Sequence, residues 1–281
     1  MKVRVFILLI IPSLLLNFQC IGIFAHSFTT DDSIYLFTLI KKTETELDLA
    51  KDTYPSNITL SLDHTDNAAR LVADTFYTDE DVANDNDFIQ RYNKEIDTAN
   101  ATSHALVIAT LIDEVLREYS DSIDLSFDMT NMSNLLYILP KNGDQQSTNR
   151  NSLDENNMLR DFLDFGNESV NNYLKNSTES IDYKEINKIF SSNNSINRYS
   201  NYQTAVAIAL EINELFQTNL KYYEGLNKNN IKDITKLEED LNYFYSLLNN
   251  NSSPAELMKI VHLEIQPILQ KVFNLKTIYE T

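Results

Sequence analysis

The sequence predicts an all-α protein, an up-and-down helical bundle, on three observations. Glycine and proline are scarce, with 4 and 5 copies in 281 residues, so turn punctuation is rare. Apolar residues recur at intervals of three and four, the spacing of one helix face. Runs of alternating β-branched residues, the mark of strands, are few.

The chain opens on Lys2 and Arg4, followed by an apolar run from Val5 to Leu16 that ends near Phe24 and Ala25. A charged start, an apolar stretch and a small residue at the end make a secretory signal over residues 1–25. Ile23 is bulky for a cleavage motif, so the alternative is an uncleaved membrane anchor. Either way, the rest of the chain is expected outside the cytoplasm, secreted or associated with the cell surface. Cys20 is the only cysteine and lies in this segment, so a mature chain has no disulfide and no thiolate metal site.

The first helix is expected from Asp32 to Tyr54, with Ile34, Phe37, Ile40, Leu47 and Ala50 inward. Pro55, Ser56 and Asn57 turn the chain. A second helix runs to Tyr77 with Leu62, Ala69, Val72 and Phe76 on one face. A loop over 78–86 and a short helix over 87–96 follow. Asn100-Ala101-Thr102 then opens a strong helix to Tyr119, with the stripe Ala105, Ile108, Ala109, Ile112, Val115 and Leu116. The pattern weakens between 120 and 199. Residues 141–157 are polar enough for a linker or a disordered stretch, and short helices are expected over 158–174 and 183–190. The pattern returns from Tyr202 to Tyr223 with Ala205, Ile208, Ala209, Ile212 and Leu215. Another helix spans Ile231 to Leu248. The last begins at Ser253-Pro254-Ala255-Glu256, a capping box with proline at the first helical position. It is expected to reach Phe273 with a bend at Pro267.

Residues 104–114 and 204–214 match in Ala, Ile, Ala, Ile and Glu at an offset of 100, and Thr45–Asp48 is echoed by Thr235–Glu238. The order is hairpin, single helix, single helix, hairpin. That suggests two related three-helix units about a pseudo-twofold axis, with Ala105, Ala109, Ala205 and Ala209 letting the matched helices approach closely. The expected organisation is an N-terminal helical half over 26–120, a polar and partly disordered linker over 121–198, and a C-terminal half over 199–281 that packs on the first.

The formal charge is −18 and the pI about 4.5. Binding to nucleic acid or to anionic lipid needs a basic face, so both are disfavoured; membrane contact would come only through the N-terminal segment, if it is retained. Asn57, Asn100, Asn131, Asn167, Asn176, Asn193, Asn250 and Asn251 each open an N-x-S/T sequon, a surface glycosylation signal in a secreted chain. An asparagine-rich composition also produces such sequons by chance.

No H-E-x-x-H, C-x-x-C, glycine-rich phosphate loop or G-x-S-x-G is present, so no catalytic motif supports an enzyme. The candidate metal ligands are His64, His104 and His262 with Glu114 and Glu214. Imidazole and carboxylate from facing helices are how bundles hold Cu, Zn or Fe. The alternatives are a hydrogen-bonded core histidine at 262 and solvent-facing or Lys/Arg-paired carboxylates at 114 and 214. His26, as a new N-terminus, could chelate copper through its amine and ring if a second histidine lay close.

The segments Asp81–Asp85, Asn100–Leu116, Asp128–Ser133 and Ser253–His262 resemble a group of secreted, helical, asparagine-rich proteins of ammonia-oxidising archaea. The group has no assigned activity. The resemblance implies an archaeal cell-envelope setting and no site residues. In such relatives a second histidine is expected before the last proline, where this chain has Gln266. The leading expectation is a non-enzymatic extracytoplasmic binding or structural module whose partner is an envelope protein or glycan. The alternative is a metal-binding protein using the histidines and carboxylates above.

Overall fold

A computed structural model describes residues 32–77, 100–130, 183–223 and 230–275. Among them the chain is an all-α bundle of seven helices with no strand. The helices are α1 (Asp32–Thr53), α2 (Ile58–Tyr77), α3 (Ala101–Ser122), α4 (Tyr183–Phe190), α5 (Tyr199–Leu215), α6 (Ile231–Asn249) and α7, which starts as Pro254–Lys259 and ends as Gln266–Phe273. The loop expected over 78–86, the short helices over 87–96 and 158–174, the polar stretch over 141–157 and the N-terminal signal fall outside the described residues. Among the described residues no helix is long and apolar enough to cross a membrane.

Local chemistry sets the helix ends. The residue before a proline is pushed out of the helical region, and α1 stops just ahead of Tyr54-Pro55. Asn57 Oδ1 accepts the Leu60 N–H at 3.1 Å, and Asn100 Oδ1 accepts the Ser103 N–H at 3.0 Å, so α2 and α3 each begin on an asparagine cap. The box at the start of α7 forms in both directions: the Ser253 hydroxyl accepts the Glu256 N–H, and the Glu256 carboxylate accepts the Ser253 N–H at 3.1 Å. Ser253→Ala should cost about 1 kcal/mol of stability, read as a shift in the urea midpoint with unchanged slope.

Two helices widen into π-turns. α5 continues as a π-turn over Phe216–Leu220, with the Lys221 N–H donating to Phe216 O at 2.9 Å. In α7 the π-turn is Ile260–Ile265, and the Gln266 N–H donates to Val261 O. A proline inside a helix has no N–H to donate, and its ring collides with the carbonyl one turn back. The change of register ahead of Pro267 accounts for how α7 passes through that residue, where a bend was expected.

The core is built on α3. Ala105, Ile108, Leu111, Ile112, Val115, Leu116 and Tyr119 are buried there, and Ala205, Ile208, Ala209 and Ile212 of α5 join the same cluster. The matched helices α3 and α5 pack directly on each other, α6 lies on α5, and α7 packs on α3, α4 and α6. The four alanines of the matched stripes are buried, which leaves room for the close approach that their spacing predicts.

The described parts of the expected linker are no loose tether. Ile123, Leu125, Met129, Ile186, Ile189 and Phe190 all enter the core cluster. At this end of the bundle the Tyr119 hydroxyl donates toward Asn251 Oδ1 (2.8 Å) and Ser252 O (2.6 Å), while Asn251 Nδ2 donates to Asn194 O at 2.8 Å. One buried phenol thus ties α3 to the α6–α7 connection, and Asn251 carries the link on to the α4–α5 connection.

The α1–α2 hairpin has its own seam, where Leu39, Ala50, Leu60 and Ala68 are buried outside the main cluster. Apolar contact with the core comes from Ile34 and Phe37. Much of the remaining contact is polar. Two expectations change here. Leu47, expected inward, is 52% exposed, because the neighbouring Glu46 takes the inward place. Leu62, Ala69 and Val72 do share one face of α2, but that face points to solvent, and Leu60, His64 and Ala68 are buried instead.

Candidate functional site

Three polar centres join the hairpin to the core. The most buried is built around Glu46 of α1. Its Oε2 accepts from His64 Nδ1 of α2 at 2.8 Å and from Asn67 Nδ2 at 3.3 Å, and its Oε1 accepts from the Thr204 hydroxyl of α5 at 2.7 Å. The Gln203 amide oxygen lies 3.2 Å from His64 Nε2. Glu46, His64 and Thr204 are almost completely buried. Burial alone would push the His64 ring toward neutrality; the hydrogen bonds to Glu46 and Gln203, with the charges of Glu46 and Asp63, outweigh it and raise its pKa. His64 is therefore engaged as a buried, charge-assisted hydrogen-bond donor between three helices.

The second centre is Lys42, whose ammonium lies 2.7 Å from both Glu114 and Glu118 of α3. Arg117 also donates to Glu114. Burial would raise the Glu114 pKa, but Lys42 and Arg117 hold it below the ordinary carboxylate range. Of the places weighed for Glu114, it takes the Lys/Arg-paired one.

The third is an open cleft of about 360 Å³ between α1, α3 and α5, lined by Phe37, Lys41, His104, Glu211, Glu214 and Leu215, among others. His104 meets the Phe37 ring edge-on, with centroids 6.3 Å apart, and burial lowers its pKa. Lys41 pairs with Glu211 at 3.1 Å. Glu214 is exposed at the rim.

Thus the structure brings His104 and Glu214 into one cleft and places the other candidates elsewhere. His262 lies in the α7 π-turn, where Nε2–H donates to Met129 O at 3.0 Å and the Gln266 amide is 2.9 Å from Nδ1. Burial lowers its pKa and keeps the ring neutral. It takes the place of a hydrogen-bonded core histidine, and Gln266 is its partner. Zinc in a bundle typically has three or four protein ligands. Among the described residues no group of three or more His, Cys, Asp or Glu is placed to hold a metal ion. In the cleft, the Lys41 ammonium would oppose a second cation beside His104 and Glu214. Among the described residues, His64, His104, His262, Glu114 and Glu214 are not gathered around one point. His26 lies outside the described residues.

The sequons divide by what their amides do. Asn57, Asn100, Asn193 and Asn250 are exposed. Asn251 is not available in the same way: a glycan joins at the amide nitrogen, and its Nδ2 is bonded to Asn194 while its Oδ1 accepts from Tyr119. Asn131, Asn167 and Asn176 lie outside the described residues.

The residue that sequence reasoning missed is Glu46. It sits between Thr45 and Leu47 in a stretch rich in charged residues, and only its spacing from the hairpin turn could have pointed to His64. No protein-family model matches the chain, and no curated protein or solved structure matches it.

Proposed function

We propose that this chain is a non-enzymatic binding module of the cell envelope, delivered outside the cytoplasm by residues 1–25. The observation that carries the reading is the outward face of α2, where Ile58 and Leu62 are 59% and 58% exposed and Val72 is 41% exposed. Single exposed apolar residues are ordinary, but a row of them along one helix face marks a surface that another molecule covers. The candidate metal-ligating groups support the same reading. His64, His262 and Glu114 are engaged by partners inside the fold.

The test is retention of the purified chain on a washed envelope fraction. The wild-type chain should be retained, and the double variant Leu62→Asp/Val72→Asp should be released while keeping its helical circular dichroism, since both positions face solvent. Equal partition of the two proteins would overturn the proposal.

A further inference from the structure

We propose that the outward face of α2 receives a basic amphipathic helix of another protein, seated along Ile58, Leu62, Thr65, Ala69 and Val72; this rests on the binding-module reading above. These positions follow one another at intervals of four, three, four and three residues, and all are exposed. That is the seam spacing of paired helices, in which apolar knobs repeat every three and a half residues. At 1.5 Å rise per residue the seam is roughly 21 Å long, enough to seat two heptads of a partner.

The seam is distinct from the face that α2 turns into the hairpin, so α2 carries two apolar faces, and among the described residues the fold covers one. Small residues at 65 and 69 leave room for a second backbone between the larger Ile58, Leu62 and Val72. Thr65, the one polar member, donates its hydroxyl to Ser61 O at 2.8 Å, so its donor is satisfied within its own helix and does not resist being covered.

Charge selects the occupant. Asp66 is exposed on the flank of the seam and Asp63 is exposed further round the helix, while Arg70, between them, donates to Asn67. The chain as a whole carries −18. A second copy would bring the same carboxylates and the same net charge against this face. A helix with Lys or Arg flanking its apolar stripe would complement it.

The experiment titrates the full chain with three synthetic helical peptides that share one apolar heptad stripe and differ in flanking residues: Lys, Gln or Glu. Binding is read by fluorescence anisotropy at low and physiological salt, with sedimentation of the chain alone alongside. The Lys peptide should bind at least about tenfold more tightly than the Gln peptide, with an advantage that shrinks as salt rises. The Glu peptide should not bind, and Leu62→Asp/Val72→Asp should remove binding of the Lys peptide. Equal binding of the Lys and Gln peptides would overturn the basic partner and leave the docking face standing. Failure of every peptide would overturn both. A dimer of the chain alone that Leu62→Asp dissociates would identify a second copy as the occupant and overturn the proposal.

Discussion

Glu46→Ala should destabilise the fold by about 3–5 kcal/mol, the range for removing one partner of a buried charged pair. The loss is large because His64, Asn67 and Thr204 all direct donors at that carboxylate, and His64 and Thr204 are fully buried and have no solvent to turn to once it is gone. Against a total stability of order 5–15 kcal/mol for a typical domain, such a variant would be marginal. A loss below about 1 kcal/mol, the size of an exposed salt bridge, would mean that the centre does not hold the hairpin. The same centre gives a pH dependence of definite sign. His64 has its pKa raised by folding, so the folded state binds the proton more tightly than the unfolded chain. Its contribution is complete below the ordinary histidine value of about 6.5 and is lost as pH rises through the folded value. His104 and His262 act in the opposite sense, because folding lowers their pKa values and their contribution is lost as pH falls below the ordinary value. Urea midpoints measured from pH 5 to pH 9 should fall on both sides, and His64→Gln should flatten the alkaline side only.

Phe216→Ala should cost about 3–5 kcal/mol, the loss expected for a buried aromatic ring. Phe216 opens the π-turn that extends α5, is completely buried, and lies in the core cluster. The π-turn itself packs on α3. Thr218→Ala in the same turn removes an exposed side chain and should stay within about 0.5 kcal/mol. Comparable losses at the two positions would show that the turn is sensitive to substitution as such, with no special weight on the ring it places in the core.

Much of the fold could be read from the sequence because α3 and α5 are buried on a broad face. There, the three-and-four spacing of Ala105, Ile108, Ala109 and Ile112, and of Ala205, Ile208, Ala209 and Ile212, reports burial directly. The Ser253–Glu256 box was equally plain, since its chemistry is local. The α2 hairpin was not. Periodicity identifies a face but not its partner, and Leu62, Ala69 and Val72 share a face that nothing described in the fold covers. The polar centres were harder still. Glu46 and Thr204 are separated by 158 residues, and a buried carboxylate has the same letter as an exposed one. His64, His104 and His262 could be singled out as chemistry-bearing residues, but which oxygen or carbonyl each would face depends on helix docking.

Among the described residues, those with positive φ other than glycine are Asp124, Asn193, Asn251 and Asn274, the last closing α7. Asparagine and aspartate tolerate this conformation better than other side chains, though glycine is its usual occupant. A glycine in each place would widen the range of conformations open to the unfolded chain, and every extra conformation is freedom that folding must remove. With 4 glycines among 281 residues, this polypeptide is stiff before it folds. Part of the bundle's stability is therefore set by what the unstructured chain is unable to explore, in a chain whose single cysteine has no second cysteine for an internal disulfide.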